Sequence, residues 1–543
     1  MKKIIFLAIG ILLYACGPKE QVKKSEDISA ISVKEFTTFK VLDSKSIENQ
    51  MIWSALEQDM KDFSEAEYER LKPYILEKNI LELHKNRTQG IFTYETLVKF
   101  YLYRIKKYDR DNELSLNSVI SINPTIIAEA KQKDQEFFNK RLKPLIFGMP
   151  ILLKDNVNTS GMPTTAGAVA LKNNYTEDAF IVEQLKQQGA LILGKANLSE
   201  WAYFFCGDCP SGYSAIGGQT LNPYGRKMID TGGSSSGSGV SVAANFAVAA
   251  VGTETAGSIL SPSSQNSVVG LKPTIGLLSR SGIVPISSTL DTPGPMTKNV
   301  VDNAILLSAL YGYDPSDSKS KSFKYSGSYY VETIKNGNPS IKDKRFGAFT
   351  RLMNDTLYIN AINELKAQGA IIVEIEEEQI GLPKFISLLN LDMQKDLPAY
   401  FKNYASKQLP FTSVQDIIDF NKKDSLKTMP YGQKLFYGIV DDKATDEEFT
   451  SMKKVLYDNG KSYFDIPMKA HNLDAILSIN NYHAAFAAVA EYPALTVPMG
   501  YTTEGVPKGI TFIGKPFAEK SLLEWAYVYE QASNMRKAPK NYQ

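Results

Sequence analysis

The chain has 543 residues, which is enough for several small domains or for one large domain with a substantial core. Its 43% hydrophobic and 22% charged residues are ordinary for a soluble globular protein. The formal net charge of +2 and the lack of a long basic run give no reason to expect a nucleic-acid partner.

Residues 1–15 have the pattern of a secretory signal peptide. Lys2 and Lys3 precede a short apolar run that is too short to span a bilayer comfortably. The run ends in Leu-Tyr-Ala-Cys at Cys16, which resembles the lipobox of bacterial lipoproteins, whose cysteine becomes lipidated. We therefore expect an exported protein, anchored in the bacterial cell envelope by a lipid on Cys16 and facing the periplasm or the surface. An uncleaved membrane anchor is the alternative.

Residues 16–65 are predicted to form a polar tether and an irregular N-terminal segment. From residue 66 to 543, the hydrophobic pattern predicts helices and strands in alternation. The predicted helices are 66–76, 81–86, 93–108, 124–140, 180–188, 360–368 and 521–533. The predicted strands are 119–122, 150–154, 190–193, 370–375, 474–479 and 494–498. This alternation favours one large domain with a layered α/β fold.

Two later stretches have a weaker pattern. Residues 314–345 are rich in Ser, Lys, Asn and Gly, and we expect them to form a surface excursion. Residues 385–469 are mixed helical and aromatic. We expect the wider region 310–470 to form the walls or the lid of a substrate pocket.

Residues 230–262 contain two Gly/Ser-rich turns separated by a run of small apolar residues. Glycine lets the backbone approach a ligand closely, so each turn can direct successive N–H groups at one point. The apolar run is long enough for a short buried helix followed by a buried strand. The stretch therefore predicts a site that binds or makes an anion. Thr253 and Asp230 are expected to hold the loops through local hydrogen bonds.

Three kinds of chemistry use such turns. A Ser-His-Asp triad would need one of three histidines, His84, His471 or His483. Residues 233–237 formally match the G-x-S-x-G nucleophile elbow with Ser235 as nucleophile, but residues 226–231 before them make a poor buried strand. A phosphate-binding loop is not supported, because the chain lacks G-x-x-x-x-G-K-[ST].

The third chemistry uses a lysine base, and Lys154 at the end of a predicted buried strand is the candidate. An unperturbed lysine has a pKa of about 10.4. For Lys154 to be neutral at pH 7, this pKa must fall by about 3 units, which corresponds to about 4 kcal/mol. Desolvation can supply that change. The neighbouring Asp155 would oppose it if it were adjacent in space, but successive side chains of a strand point to opposite faces.

Cys206 and Cys209 have the spacing C-x-x-C. Two cysteines cannot complete a tetrahedral zinc site, and the chain has no second pair. A thioredoxin-like centre needs a helix where residues 210–212 read Pro-Ser-Gly. In an exported protein, a local structural disulfide is the preferred interpretation.

From about residue 80 to 535, the chain resembles the amidase signature family. The matching segments are 148–156, 163–167, 194–201, 217–220, 232–237, 252–258, 269–274, 291–296 and 492–498. The resemblance implies a three-layer α/β/α fold around a large mixed, mostly parallel twisted sheet. It also implies an enzyme that needs neither a metal nor another cofactor.

By this resemblance, Ser258 is the nucleophile, Ser234 is a bridging serine that follows a cis peptide bond, and Lys154 is the base. The two serines are 24 positions apart (258 − 234), as they are in the family. Backbone N–H groups of four consecutive residues would form the oxyanion hole: Thr255, Ala256, Gly257 and Ser258. Ser235, Ser236 and Ser238 are expected to have structural roles.

Two positions depart from the family pattern. Ala256 stands where relatives commonly have Gly or Asp, and Leu260 stands where the glutamyl-tRNA amidotransferase A subunits have an arginine. With the export signal, Leu260 argues against that role. The chain looks more like the secreted bacterial peptide amidases.

The resemblance predicts a serine amidohydrolase that cleaves a linear or peptide-like carboxamide through an acyl-enzyme. The expected partners are this small-molecule or peptide amide and the membrane that holds the lipid anchor. Two alternatives are an esterase that uses the same three residues and a surface lipoprotein that binds such ligands without turnover.

Overall fold

A large mixed β-sheet forms the core of the protein. The computed structural model describes residues 39–110, 112–139, 142–324 and 328–543. In these residues, eleven strands form the large sheet, and the short strands β4 and β5 pair separately. The strands are β1 (Val119–Ile122), β2 (Pro150–Lys154), β3 (Leu191–Ala196), β4 (Tyr213–Ser214), β5 (Gly218–Gln219), β6 (Ala249–Glu254), β7 (Val269–Lys272), β8 (Thr292–Thr297), β9 (Arg345–Phe349), β10 (Ile371–Ile375), β11 (Ala475–Ile479), β12 (Ala494–Tyr501) and β13 (Pro507–Ile513).

Helices precede, connect and cover these strands. They are α1 (Asn49–Trp53), α2 (Glu65–Ile75), α3 (Ile80–Thr88), α4 (Tyr94–Tyr108), α5 (Ile126–Phe137), α6 (Phe180–Gln187), α7 (Ser236–Ala243), α8 (Leu260–Gln265), α9 (Val300–Leu310), α10 (Glu332–Asn336), α11 (Thr356–Ala367), α12 (Phe385–Asn403), α13 (Val414–Lys422), α14 (Ser425–Thr428), α15 (Lys434–Asp441), α16 (Asp446–Ala470), α17 (Ala484–Val489) and α18 (Glu519–Ser533). Short 3₁₀ segments occur at Val169–Leu171, Glu200–Tyr203, Thr350–Asn354 and Lys540–Tyr542.

The spatial order of the large sheet is β1-β3-β2-β6-β8-β7-β12-β13-β11-β9-β10. Parallel pairing occurs in two places, where β2 lies between β3 and β6 and where β9 lies between β11 and β10. The other six neighbouring pairs among the described strands are antiparallel. The prediction of a mixed sheet is confirmed, but the expectation that it is mostly parallel is wrong. Strands β7, β8, β9 and β13 were not predicted, and β8 contains two prolines, which normally argue against a strand.

Two groups of helices cover the sheet. Helices α7 and α8 contact each other. Helix α7 packs against β2, β3, β6 and β8, and α8 packs against β7, β12 and β13. Helices α6, α9, α18 and α11 form a second connected group, in which α9 packs on β7 and β8 and α18 on β12 and β13. The central strands β2 and β6 are buried along their whole length, as expected for strands covered on both faces. The fold is therefore a three-layer α/β/α arrangement.

Helix α7 comes very close to its neighbours because it consists of small residues, Ser-Gly-Ser-Gly-Val-Ser-Val-Ala. A Cβ atom added at Gly237 would lie 2.5 Å from the Ser118 carbonyl oxygen and no farther from the backbone of Asn197. The Gly237 N–H donates to the Asn197 carbonyl at 2.9 Å. The glycine therefore sets the position of the helix that begins directly after the first Gly/Ser-rich turn.

A second hydrophobic cluster lies beside the main core. It joins apolar side chains of α12, α13, α15 and α16 to side chains from the loops around residues 166–171, 201–209 and 284–290. Contacts across it include the Trp201 and Phe436 rings, whose centroids are 5.3 Å apart. We call residues 385–470 the helical layer. This layer packs against the loops that follow β2 and β3.

The structure differs from the sequence predictions at two peripheral segments. Residues 314–345 are not simply a surface excursion, because they include α10 and bury Tyr330, Val331 and Ile341. The predicted irregular N-terminal segment contains α1, and its Leu56 joins the main core. The predicted signal peptide, Cys16 and the first part of the predicted tether lie outside the described residues. None of the helices in the described ranges combines the length and the apolarity that crossing a bilayer requires.

We predict that Gly237→Ala destabilises the protein. The added methyl group would overlap backbone atoms of Asn197 and Ser118, which cannot rotate away as a side chain can. Overpacking of this kind costs about 1–3 kcal/mol or more. A lower thermal unfolding midpoint of the purified variant would show the effect.

Gly438→Ala in α15 is the matched control, since it is also a glycine-to-alanine change within a helix. There the added Cβ would meet only the Asn390 side chain, at 3.7 Å. Removing a helical glycine should stabilise this variant by about 0.5–1 kcal/mol. Equal unfolding midpoints for the two variants would contradict the packing argument.

Candidate active site

Lys154 is the last residue of β2, and its side chain is fully buried. Because β2 runs parallel to β6, the carboxyl ends of the two strands meet at the same edge of the sheet. The Lys154 amine contacts three oxygens there. Its Nζ lies 2.8 Å from Ser234 Oγ, 2.8 Å from Thr253 Oγ1 and 3.0 Å from the Thr253 carbonyl oxygen. All three are uncharged, so no carboxylate directly balances a charged ammonium.

Burial lowers the pKa of Lys154 from 10.5 to about 7. The carboxylates of Asp291 and Glu254 act in the opposite direction, but they do not outweigh desolvation. The adjacent Asp155 lies 3.3 Å from the Lys195 amine and accepts a hydrogen bond from the Thr165 hydroxyl. Its carboxylate therefore has partners of its own, as expected if it points away from Lys154. Lys154 can exchange a proton near neutral pH.

Ser234 follows a cis peptide bond with Gly233 and is fully buried. Its carbonyl oxygen accepts a hydrogen bond of 3.0 Å from the Ser199 N–H. The next residue, Ser235, donates its N–H to the carbonyl oxygen of Ser258 at 3.1 Å. This bond joins the two Gly/Ser-rich turns and places Ser258 beside Ser234.

Ser258 is half-buried on the turn between β6 and α8. Within the part of the chain that the structure describes, its hydroxyl has no hydrogen-bond partner. The structure thus brings Lys154 and Ser234 into contact and places Ser258 on the adjoining turn with a free hydroxyl.

The turn that carries Ser258 is held by Glu254, the last residue of β6. One Glu254 carboxylate oxygen accepts the N–H groups of Ile259 at 2.7 Å and Leu260 at 2.9 Å. Gly257 has a φ of 101°, where a residue with a side chain would be strained. Within the described ranges, the N–H groups of residues 255–258 donate to no backbone carbonyl. These amides are therefore candidates for binding a negatively charged oxygen.

A cavity of about 200 Å³ lies beside this turn. Its floor includes Asn156, Thr253 and Thr255. Its walls come from residues 280–293, residues 316–318 and one side of α12. Residues 316–318 and α12 belong to the region 310–470, in which the sequence predicts pocket walls. The stretch 280–293 supplies the larger share of the walls and was not predicted.

Thr253 has a larger role than the sequence indicates. Its hydroxyl oxygen contacts Lys154 Nζ and accepts a hydrogen bond of 3.0 Å from Asn156 Nδ2. Both partners are nearly a hundred residues away along the chain, so the expectation of purely local hydrogen bonds is wrong. The sequence places Thr253 near the end of a predicted buried strand. It does not show which strand lies beside it, so the contact with Lys154 could not be predicted from this position.

The other serines of the first turn have structural contacts. The hydroxyls of Ser235, Ser236 and Ser238 donate to backbone carbonyls at 2.6–3.1 Å, and all three are buried. None of the chain's three histidines contacts Ser235. His483, for example, lies against Ser478 and Glu377. A Ser-His-Asp triad centred on Ser235 is therefore excluded.

Cys206 and Cys209 are joined as a disulfide in a buried loop, with Cα atoms 5.9 Å apart. This pair is predicted to be structural, and it packs within the second hydrophobic cluster. In the described residues, no group of three or more His, Cys, Asp or Glu side chains is arranged to hold a metal ion.

Comparison with known proteins agrees with this geometry. The family model described as Amidase matches residues 96–431. A probable amidase of Arabidopsis thaliana is 36% identical over 483 residues, which are 86% of this chain and 92% of that protein.

Two solved structures resemble this one along most of their length. An amidase family protein from Bacillus anthracis has a TM-score of 0.87 and 37% identity, covering 92% of this chain and 99% of its own. The peptide amidase from Stenotrophomonas maltophilia has a TM-score of 0.81 and 37% identity, covering 86% and 99%. That peptide amidase has also been solved with the competitive inhibitor chymostatin. Because the family match runs through the strand of Lys154 and both Gly/Ser-rich turns, this chain belongs to the amidase signature family and is an amide hydrolase.

Proposed function

We propose that the protein is a serine amidohydrolase that cleaves linear, peptide-like carboxamides through an acyl-enzyme. Ser258 is the nucleophile, Ser234 the bridging serine and Lys154 the base. The observation that carries this proposal is the contact of 2.8 Å between the buried Lys154 amine and the Ser234 hydroxyl. Burial favours the neutral form of this lysine. That form gives a purely structural lysine no advantage, whereas a general base must be neutral to accept a proton.

A neutral Lys154 amine has two hydrogens and one lone pair. It donates the hydrogens to the carbonyl and hydroxyl oxygens of Thr253 and turns its lone pair toward Ser234 Oγ. Lys154 can then take the proton of Ser234 while Ser234 takes the proton of Ser258. The Ser258 oxygen forms a bond to the carbonyl carbon of the substrate, and the carbonyl oxygen becomes negatively charged.

The N–H groups of residues 255–258 stabilise this oxyanion by hydrogen bonding. When the tetrahedral intermediate collapses, the C–N bond breaks, and the leaving ammonia or amine receives the proton that returns from Lys154 through Ser234. A water molecule then attacks the acyl-enzyme in the same way, releasing the carboxylic acid and restoring Ser258.

The likeness to a peptide amidase supports a peptide-like substrate, because that protein matches 86% of this chain at 37% identity. The cavity beside Thr255 is the place for the acyl part of such an amide. An ester would form the same acyl-enzyme, so matched amide and ester substrates separate an amidase from an esterase.

We predict that a fluorophosphonate labels Ser258. Ser258→Ala should abolish the adduct, and Lys154→Met should slow labelling and amide hydrolysis by roughly 10²–10⁴-fold, the usual range for loss of a general base. Peptide mass spectrometry locates the adduct, and a panel of amides measures hydrolysis.

Ser235→Ala is the control, because among the described residues the Ser235 hydroxyl forms hydrogen bonds only with the backbone of Thr253. This variant should keep its labelling on Ser258. A label on Ser235, or labelling that survives Ser258→Ala, would contradict the assignment. A wild-type protein that neither accepts the label nor hydrolyses any amide would be a binding protein.

We also predict that kcat/KM rises with pH through about 7. The base must be neutral, and burial gives Lys154 a pKa of about 7, so its neutral form increases above that pH. The rate should be about tenfold lower at about pH 6 than at about pH 8. A profile that is flat over this interval would argue against Lys154 as the base.

We propose that the enzyme acts in the bacterial cell envelope, held by a lipid on Cys16. The support is the lipobox-like end of the apolar N-terminal run. In cells, a fatty-acid analogue should label the wild-type protein in the membrane fraction, and Cys16→Ser should abolish that labelling. A wild-type protein that is membrane-bound without the label would instead support an uncleaved anchor.

A further inference from the structure

The cavity beside the candidate active site has an uneven charge. Four charged side chains line it: Arg280, Asp291, Asp317 and Asp396. The Arg280 guanidinium pairs with both carboxylate oxygens of Asp317, through Nε at 2.8 Å and through Nη2. Its Nη1 donates to the carbonyl oxygen of Ser288. Arg280 is therefore neutralised by Asp317, which leaves Asp291 and Asp396 as the carboxylates without an ion-pair partner among the residues that line the cavity.

Asp291 is held by neutral donors. One carboxylate oxygen accepts the Thr255 hydroxyl, and the other accepts the N–H groups of Ile286 at 2.8 Å and Ser287 at 2.9 Å. Its hydrogen-bonding capacity serves to position the turn of Thr255. Asp291 contributes negative potential to the cavity without being free to bind a ligand directly.

Asp396 is the second carboxylate of the cavity without an ion-pair partner among the lining residues. It is half-buried on α12, and its carboxylate accepts hydrogen bonds from the N–H and from the hydroxyl of Ser288. No lysine or arginine forms an ion pair with it anywhere in the described ranges. The nearby Asp392 pairs with Lys453 at 2.9 Å, so that cation is already engaged. Asp396 therefore presents an unbalanced carboxylate to the cavity.

We propose that the cavity selects amides whose acyl part carries an ammonium group, which Asp396 binds. This substrate class includes the amides of amino acids and of short peptides with a free amino group. The inference rests on the proposed function, since it names the substrate of the same site. An organic cation fits better than a metal ion, because the described residues offer no group of three or more metal-ligating side chains.

The test compares amides that differ only in charge. Each ω-amino amide in a series of increasing chain length is paired with the alkanamide that has a methyl group in place of the ammonium. Alaninamide is likewise paired with isobutyramide. At least one ammonium amide should have a kcat/KM about 10- to 100-fold above its neutral partner, as expected for a charge-assisted hydrogen bond. In Asp396→Asn the ratio of the two kcat/KM values within each pair should fall to about one.

Asp419→Asn on α13 is the control, because it removes the same charge from a side chain that is 58% exposed. It should leave the preference intact. Equal kcat/KM values within every pair for the wild-type protein, or a preference that persists in Asp396→Asn, would overturn the proposal.

Binding to the Lys154→Met variant tests the ammonium site without catalysis. Calorimetric titration should show tighter binding of the ammonium amides, and Asp396→Asn in the same background should remove the difference. Failure of the proposed function alone would leave this difference in place. Equal dissociation constants within every pair would overturn the ammonium site even if amides are hydrolysed.

Discussion

The burial of one lysine amine is the constraint on which the rest of the site depends. Lowering the pKa of Lys154 from 10.5 to about 7 shifts its protonation equilibrium toward the neutral form by about 5 kcal/mol, compared with a lysine in water. The surroundings keep this preference by offering Lys154 only uncharged oxygens from Ser234 and Thr253. The carboxylates of Asp291 and Glu254 raise the pKa of Lys154 from a distance, but each forms its hydrogen bonds with other groups. The parallel pairing of β2 and β6 brings all these groups to one edge of the sheet.

The sequence was informative where a local pattern determines the result. Strands β1 and β2 begin and end at the predicted residues, and α4 and α18 begin within two residues of prediction, because apolar periodicity and capping residues act over short distances. The contact between Lys154 and Ser234 was expected from the family resemblance. Sheet direction was not predictable in the same way, since β7, β8, β9 and β13 lack a clear strand pattern and their neighbours are set by distant packing. For the same reason, the role of Thr253 and the cavity walls at 280–293 emerged only from the three-dimensional structure.

The two Gly/Ser-rich turns contribute to the site in different ways. The first places Ser234 against Lys154 and leads into α7, whose close packing depends on Gly237. The second carries Ser258, and the Glu254 carboxylate holds it by accepting the N–H groups of Ile259 and Leu260. The hydrogen bond from the Ser235 N–H to the Ser258 carbonyl links them and favours a fixed spacing between the two turns. The proton transfer that we propose through two hydroxyls depends on that spacing, because each transfer requires hydrogen-bond distance.

The helical layer has its own hydrophobic cluster, separate from the core around the large sheet. The side chains that we propose to be catalytic lie on the sheet side, whereas α12, with Asp396, belongs to the helical layer. A substitution in the helical layer therefore changes packing contacts that differ from those around Lys154. Descendants of this chain can therefore change the α12 side of the cavity while the strands beneath keep their packing, whereas the larger wall at 280–293 leads into β8 and changes there are tied to the sheet.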